Sequence, residues 1–204
     1  MVSEIERATT RIIKALYRDG SLDKKALYGL KNARDITSLQ AQAVWHVMMA
    51  NMQRDMLSTE GNLEPTAAEV AVFTAIQFYA IYQQGNSQFV YESYINEEGM
   101  PLFEALADLR QQRKQDSGNS QALDNRVKSL LASSNVKSII NELSHLIGIL
   151  KSDEKLRKLD YGLLARDLFK LQGSYRQANQ IRFLWGEQYF WESYADNQVE
   201  GEKA

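Results

Sequence analysis

The sequence predicts an all-α protein of about nine helices in two packed helical bundles. Only two prolines, Pro65 and Pro101, interrupt its 204 residues. No segment alternates apolar and polar side chains for long enough to indicate a strand. Residue patterns that start and end helices recur along the chain instead.

The first four helices are predicted from capping pairs and apolar spacing. Ser3 with Glu6, and Thr66 with Glu69, have the spacing of a capping box, in which each side chain satisfies a free backbone N–H. Glycines mark helix ends at Gly20, Gly85 and, later in the chain, Gly173. The predicted ranges are 4–18, 22–33, 38–57 and 67–84.

The later helices follow Ser120, Asp160 and Ser174, which are predicted N-caps. The five ranges are 101–115, 121–132, 135–151, 161–172 and 175–193. The stretch DSGNSQ at 116–121 has little to bury, so we predict the domain boundary there. The expected units are an N-terminal helical bundle, 1–115, and a C-terminal basic bundle with an acidic tail, 116–204.

The composition is that of an ordinary globular protein with a net charge of -2 and no cysteine. The absence of cysteine excludes a disulfide framework and thiolate chemistry. The N-terminus lacks the pattern of a secretory signal, and the most apolar run, 67–82, is too short for a bilayer. We therefore expect a soluble, cytoplasmic protein with no membrane partner.

Charge is unevenly distributed along the chain. Residues 121–182 contain eleven Lys/Arg against six Asp/Glu, whereas 61–120 contain three against eight. This asymmetry indicates an anionic partner for the C-terminal half.

The helix at 135–151 carries a polar row beside its buried stripe. Lys137, Asn141, Ser144, Gly148 and Lys151 share one face at helical spacing. Short side chains would let a phosphate backbone approach, and the two lysines would bind it by charge. The alternatives are a solvated face and close packing against another helix.

Other cations surround this helix in sequence or form a second basic group. In the segment YGLLARDLFKLQ, Arg166 and Lys170 are predicted to lie on an outward face. The remaining candidates near that helix are Arg126, Lys128, Lys155, Arg157, Lys158, Arg176 and Arg182. The second group, in residues 21–34, is Lys24, Lys25, Lys31 and Arg34.

The last helix mixes cations with aromatic residues. Exposed rings could stack on unpaired bases, but Ile181, Leu184, Trp185 and Tyr189 follow helical spacing, which favours core packing. Catalytic patterns are scarce: Glu142 and His145 form one Glu-x-x-His unit, and the second copy that a di-iron site needs is missing. We predict no metal site, no cofactor and no enzymatic activity.

Seven segments, taken in order, resemble the CasB family, the small subunit of the type I-E CRISPR surveillance complex Cascade. They are KKALYGLKNA (24–33), TAAEVAVFTAIQFYAIYQQG (66–85), GMPLFEALADL (99–109), LDNRVKSLLASS (123–134), the helix ending in GILK (148–151), LDYGLLARDLFKLQ (159–172) and QIRFLWGEQYF (180–190).

This resemblance implies an all-helical, non-catalytic subunit in two copies. It further implies contacts with the Cascade backbone and large subunits, with the crRNA–target DNA heteroduplex and with the displaced DNA strand. Positions that match basic positions of the family are Arg18, Lys25, Lys31, Arg126, Lys151, Arg166, Arg176 and Arg182. Gly29 and Asn32 stand where the family often has arginine, which weakens the N-terminal patch.

The leading hypothesis is therefore a nucleic-acid-binding Cascade subunit that stabilises the R-loop. Its predicted contact residues are Arg18, Lys25, Lys31, Arg126, Lys128, Lys137, Lys151, Arg166, Lys170, Arg176 and Arg182. Two alternatives stay open: a dimeric helical DNA-binding regulator and a metal-dependent helical enzyme.

Overall fold

The computed structural model describes residues 1–59, 61, 64–96 and 98–191. This part of the chain forms nine α-helices and contains no strand; isolated bridges join Leu159 to Tyr91 and to Met100. The all-α prediction is confirmed; the acidic tail from residue 192 onward lies outside the described residues. The helices are α1 (Val2–Tyr17), α2 (Lys24–Asn32), α3 (Gln42–Asn51), α4 (Ala67–Gln83), α5 (Leu102–Ser117), α6 (Gln121–Ala132), α7 (Val136–Lys151), α8 (Tyr161–Leu171) and α9 (Tyr175–Phe190).

Side-chain caps fix most of the predicted helix starts. The capping box of Thr66 and Glu69 is confirmed, with N···O distances of 3.0 and 2.8 Å, and the Asp160 and Ser174 side chains also cap their helices. The predicted box of Ser3 is wrong, because α1 begins at Val2 without a side-chain cap. Ser120 is an N-cap whose side chain bonds Asp124 instead of the backbone.

Helix α3 is shorter than the predicted 38–57. It ends at Asn51, Met52 is extended, and single 3-10 turns flank it at Leu39–Ala41 and Arg54–Met56. Arg11 of α1 donates a 2.7 Å hydrogen bond to the Asn51 carbonyl, which a longer helix would have used internally. A contact from another helix thus ends α3 where the sequence has no glycine or proline.

Two helices, α4 and α8, form the centre of the molecule. Helix α4 is buried on nearly every face and packs on α1, α2, α7 and α8, whereas α8 packs on α1, α4 and α9. Gly162 lets α8 approach α1 closely, because an added Cβ would lie 3.2 Å from the carbonyl oxygen of Glu6. This central position leaves little of α8 facing solvent.

Helices α5, α6 and α9 are joined around one carboxylate. Asp124 accepts hydrogen bonds from Arg110 (2.8 Å) and from the Tyr189 hydroxyl (2.7 Å). Between α5 and α9, the rings of Phe103 and Trp185 stack with centroids 4.8 Å apart. Since α5 thus packs on α9, and α8 on α1 and α4, helices from both sides of residue 116 share one core. The division into units 1–115 and 116–204 stays a prediction.

No helix within the described ranges has the length and apolar character needed to cross a bilayer.

Candidate nucleic-acid interface

A groove runs along α4 between α2 and α7. On one side, the Gln77 amide donates to the carbonyls of Leu30 (3.0 Å) and Ala33 (2.6 Å) and holds the end of α2 against α4. On the other side, Lys151 Nζ donates to the carbonyl of Ile81 at 2.7 Å and holds the end of α7. The half-buried stripe of α4, formed by Val70, Gln77 and Ile81, is therefore the floor of a groove, and α2 and α7 are its walls.

Cations lie at both ends of this groove. Burial lowers the pKa of Lys151, and the nearby charge of Lys31 lowers it further. Arg34 and Lys137 line the other end from opposite walls. Two unlike segments of the sequence thus supply one basic surface, and a bound phosphate would relieve the repulsion between Lys31 and Lys151.

Two acids also line the groove, Asp35 and Glu64. Hydrogen bonds from Thr37 lower the pKa of Asp35, and Arg34 pairs with it at 3.2 Å while staying 92% exposed. The groove and its ends therefore carry four cations and two carboxylates, and one of these carboxylates, Asp35, already accepts hydrogen bonds from Thr37 in its own turn. The resulting excess of positive charge favours binding of an anion.

Gly148 lies in the wall between Asn141 and Lys151. An added Cβ at Gly148 would meet no heavy atom within 4 Å. Close helix packing, one alternative for the polar row of α7, therefore does not account for this glycine. Glycine inside a helix costs about 1 kcal/mol relative to alanine, and the open space beside it admits a ligand backbone.

We expect Gly148→Ala to raise the free energy of unfolding by about 0.5–1 kcal/mol, because it removes backbone entropy from the unfolded chain without a clash. Urea denaturation followed by circular dichroism measures the change. The matched control is Gly29→Ala, whose Cβ would lie 2.7 Å from the Gln40 carbonyl oxygen and should destabilise the fold. A loss of stability in Gly148→Ala would mean that α7 needs this glycine for packing.

The remaining predicted contact residues fall into two groups, those without an ion-pair partner and those that already have an ion pair or hydrogen bond within the protein. Lys25, Lys128 and Arg176 are exposed and Lys170 is half-buried, and the described part of the chain offers none of the four an ion pair. These four are free to meet an external anion.

Two predicted residues are paired at the surface. Arg18 pairs with Asp23 at 2.8 Å, and Arg126 of α6 pairs with Glu142 of α7 at 3.1 Å. Both stay about half exposed, so such pairs contribute little to stability and can open toward another anion.

The predicted outward position of Arg166 is wrong. Its side chain is 25% exposed and pairs with Glu6 of α1 (3.2 Å) and with Asp167 (3.0 Å). Burial raises the pKa of Asp167, although Arg166 opposes the shift, and Trp185 Nε1 donates to the same carboxylate at 3.0 Å. Arg166 thus helps to hold α8 to α1 and α9.

Arg182 also serves the fold. Its guanidinium donates to the Ser133 carbonyl and to the side-chain oxygen of Asn179, which ties α9 to the turn before α7. A nucleic-acid contact at this residue would have to compete with both bonds.

In the part of the chain that the structure describes, the Glu-x-x-His unit lies in no cluster of metal ligands. Glu142 is paired with Arg126, and His145 is exposed. Within the described residues, no three acidic, histidine or cysteine side chains cluster as metal ligands do.

Sequence patterns alone missed the groove as a unit. The α2 cations and the α7 row were separate candidates, and Arg34 was not among the predicted contacts. The one available signal was its place in the basic segment 21–34.

Comparison with known proteins gives two matches. The model of the family CRISPR-associated protein Cse2 matches residues 29–190. The crystal structure of CasB from Thermobifida fusca superposes with a TM-score of 0.62 and 21% sequence identity, covering 93% of this chain and 98% of that one. No curated protein matches the sequence. The structural match bears on the fold, and the family match covers most of the chain.

Proposed function

Because the chain belongs to the CasB (Cse2) family, structural subunits of the CRISPR defence complex Cascade, we propose that its groove binds nucleic-acid backbone during target recognition. The observation that carries this proposal is the groove itself. Arg34 and Lys137 line it, the charges of Lys31 and Lys151 interact near its other end, and Gly148 of α7 has open space beside it.

The proposed role is to stabilise the R-loop without catalysis. Exchanging a DNA duplex for a guide–target heteroduplex is close to energetically neutral, so modest backbone contacts decide whether the strands stay apart. Lysine and arginine supply such contacts without reading bases, and their effect falls steeply with salt. The exposed cations Lys25, Lys128 and Arg176 and the half-buried Lys170 extend the proposed contact surface.

The proposed partners are the Cascade backbone and large subunits, the crRNA–target heteroduplex, the displaced DNA strand and a second copy of this chain. The family match supports this set over the alternative of a dimeric DNA-binding regulator.

Co-expression tests the proposal directly. We expect the tagged chain to co-purify through a salt wash, in fixed stoichiometry, with matched type I-E backbone subunits and a guide RNA. The complex should then form R-loops on a matched duplex, detected by permanganate footprinting of the displaced strand. The same complex lacking this chain should form fewer R-loops.

Two results would count against the proposal. If the chain elutes separately from its matched partners, it does not assemble with them. A stoichiometric complex whose R-loops are unchanged when the groove lysines are replaced by glutamine would leave the chain as a scaffold without nucleic-acid contacts.

A further inference from the structure

Helix α9 presents two large aromatic rings to solvent. Tyr175 is 77% exposed and Phe183 is 69% exposed, and both line one shallow depression with Arg176, Asn179 and Gln180. The two residues are eight positions apart, or about 12 Å along the helix axis. Of the other large aromatics of this helix, Trp185 and Tyr189 are buried in the core as the sequence predicted, and Phe190 is half-buried.

Fold stability does not account for this surface. Exposed rings add nothing to the core, and Arg176 lies in the first turn of α9, where the helix dipole disfavours a cation. The described residues provide no ion pair for Arg176. These features indicate an external ligand.

Charge identifies the kind of ligand. Residues 168–186 contain three cations, Lys170, Arg176 and Arg182, and no Asp or Glu. A basic protein partner would be repelled, whereas a polyanion that also carries flat apolar rings matches both the charge and the aromatics. Single-stranded nucleic acid has that combination.

This depression lies near one end of the groove. Arg182 bonds the Ser133 carbonyl in the turn that leads into α7, whose first turn carries Lys137. Gln172, just before α9, donates at 3.0 Å to the carbonyl of Ala67, the first residue of α4. These contacts place the middle of α9 near the turn before α7 and the residue before α9 near the start of α4, which is the Lys137 side of the groove.

We infer that Tyr175 and Phe183 form a platform on which unpaired bases of a single strand stack, beside a backbone that follows the groove. Arg176 binds a phosphate of that strand, and the exposed amide of Gln180 can hydrogen-bond a base edge. This inference rests on the proposed function, and it adds base stacking to backbone binding.

Two labelled 20-mers test the platform: oligo(dT) and an oligomer of abasic sites with the same backbone charge. Fluorescence anisotropy with the full-length chain at low salt gives both affinities. We expect the parent to bind oligo(dT) roughly tenfold more tightly than the abasic oligomer. Phe183→Leu should remove most of this preference for oligo(dT) and leave the affinity for the abasic oligomer unchanged. Phe183→Trp should keep the preference. Because Phe183 is exposed, thermal denaturation should show all variants folded alike.

Each outcome separates the platform from the groove. Equal affinities for both oligomers in the parent, or an unchanged ratio in Phe183→Leu, would overturn the platform while backbone binding stands. No binding of either oligomer would overturn the proposed function as well. If Phe183→Leu leaves both affinities unchanged but reduces assembly with Cascade subunits, the rings are a protein contact and the platform is rejected.

Discussion

Replacing Lys31, Lys137 and Lys151 with glutamine is expected to weaken binding of a labelled single-stranded 20-mer by about two orders of magnitude at 0.1 M salt. Each phosphate contact on a single strand contributes about 0.7 to the slope of log K against log salt. Loss of three contacts should therefore also reduce that slope by about 2. Fluorescence anisotropy across a salt series measures both quantities.

The fold should tolerate this triple variant. Lys31 and Lys137 are exposed, burial already lowers the pKa of Lys151, and Lys151→Gln keeps a side-chain N–H donor for the Ile81 carbonyl. We therefore expect the free energy of unfolding at neutral pH to stay within about 1 kcal/mol of the parent. Thermal denaturation provides this check.

A second triple variant with the same change in net charge is the matched control. Arg7, Lys155 and Lys158 are surface cations outside the groove, paired with Glu4, Asp108 and Glu98. Their replacement by glutamine should change the salt slope little. If both triple variants weaken binding equally, overall charge rather than the groove is responsible.

Arg166 is not part of this test, although its sequence position suggested it. Its ion pairs with Glu6 and Asp167 belong to the packing of α8, so its replacement would mix a folding defect with a binding defect. The family resemblance alone would not have separated these two roles.

Local sequence predicted the helices well. Thr66 with Glu69, Asp160 and Ser174 carry their own capping chemistry, so neighbouring residues suffice to place the starts of α4, α8 and α9. The end of α3 was missed because Arg11, forty residues away, satisfies the Asn51 carbonyl. Such a contact leaves no trace in the local pattern.

The site was predictable only in part. Spacing on α7 correctly placed Lys137 and Asn141 on an exposed face, because both belong to one helix. Periodicity does not say which helices cover the other faces, so Arg166 was expected outside. For the same reason, Lys31 and Lys151, which lie far apart in the sequence, were not expected to share a groove.

The largest effect on stability is expected at Arg157, whose side chain is 1% exposed. Its guanidinium binds Asp108 at 2.7 Å and Gln112 at 2.8 Å, both on α5, and Asp153 in the turn after α7. Burial disfavours the cation, but the hydrogen bonds and charges of Asp153 and Asp108 outweigh it and raise the pKa of Arg157. This network fixes the turn that follows Lys151 and thus one end of the groove.

Arg157→Met should lower the free energy of unfolding by about 3–5 kcal/mol at pH 7, because it leaves the buried end of Asp153 without its cation and Asp108 with only the more exposed Lys155. Urea denaturation followed by circular dichroism measures the loss. Arg157→Lys keeps the positive charge but not the several N–H donors of the guanidinium. It should therefore lower the free energy of unfolding less than Arg157→Met does.

The matched control for this change is Arg126→Met, which breaks the half-exposed pair with Glu142. It removes the same charge and should lower the free energy of unfolding by less than about 1 kcal/mol. If Arg157→Met does not fold, Arg157→Lys still tests the network. If Arg157→Lys lowers the free energy of unfolding no more than Arg126→Met does, the hydrogen bonds of the Arg157 guanidinium contribute little to stability.

The loss should also depend on pH in a defined direction. Although burial opposes the shift, hydrogen bonds from Lys155 and Arg157 lower the pKa of Asp108 below its ordinary value of 3.8. The stability from this carboxylate is therefore present above pH 3.8 and is lost as pH falls through its folded pKa. The difference between the parent and Arg157→Met should shrink in that acidic range. A difference below about 1 kcal/mol at pH 7, or one that grows on acidification, would show that the network does not hold α5 to the turn after α7.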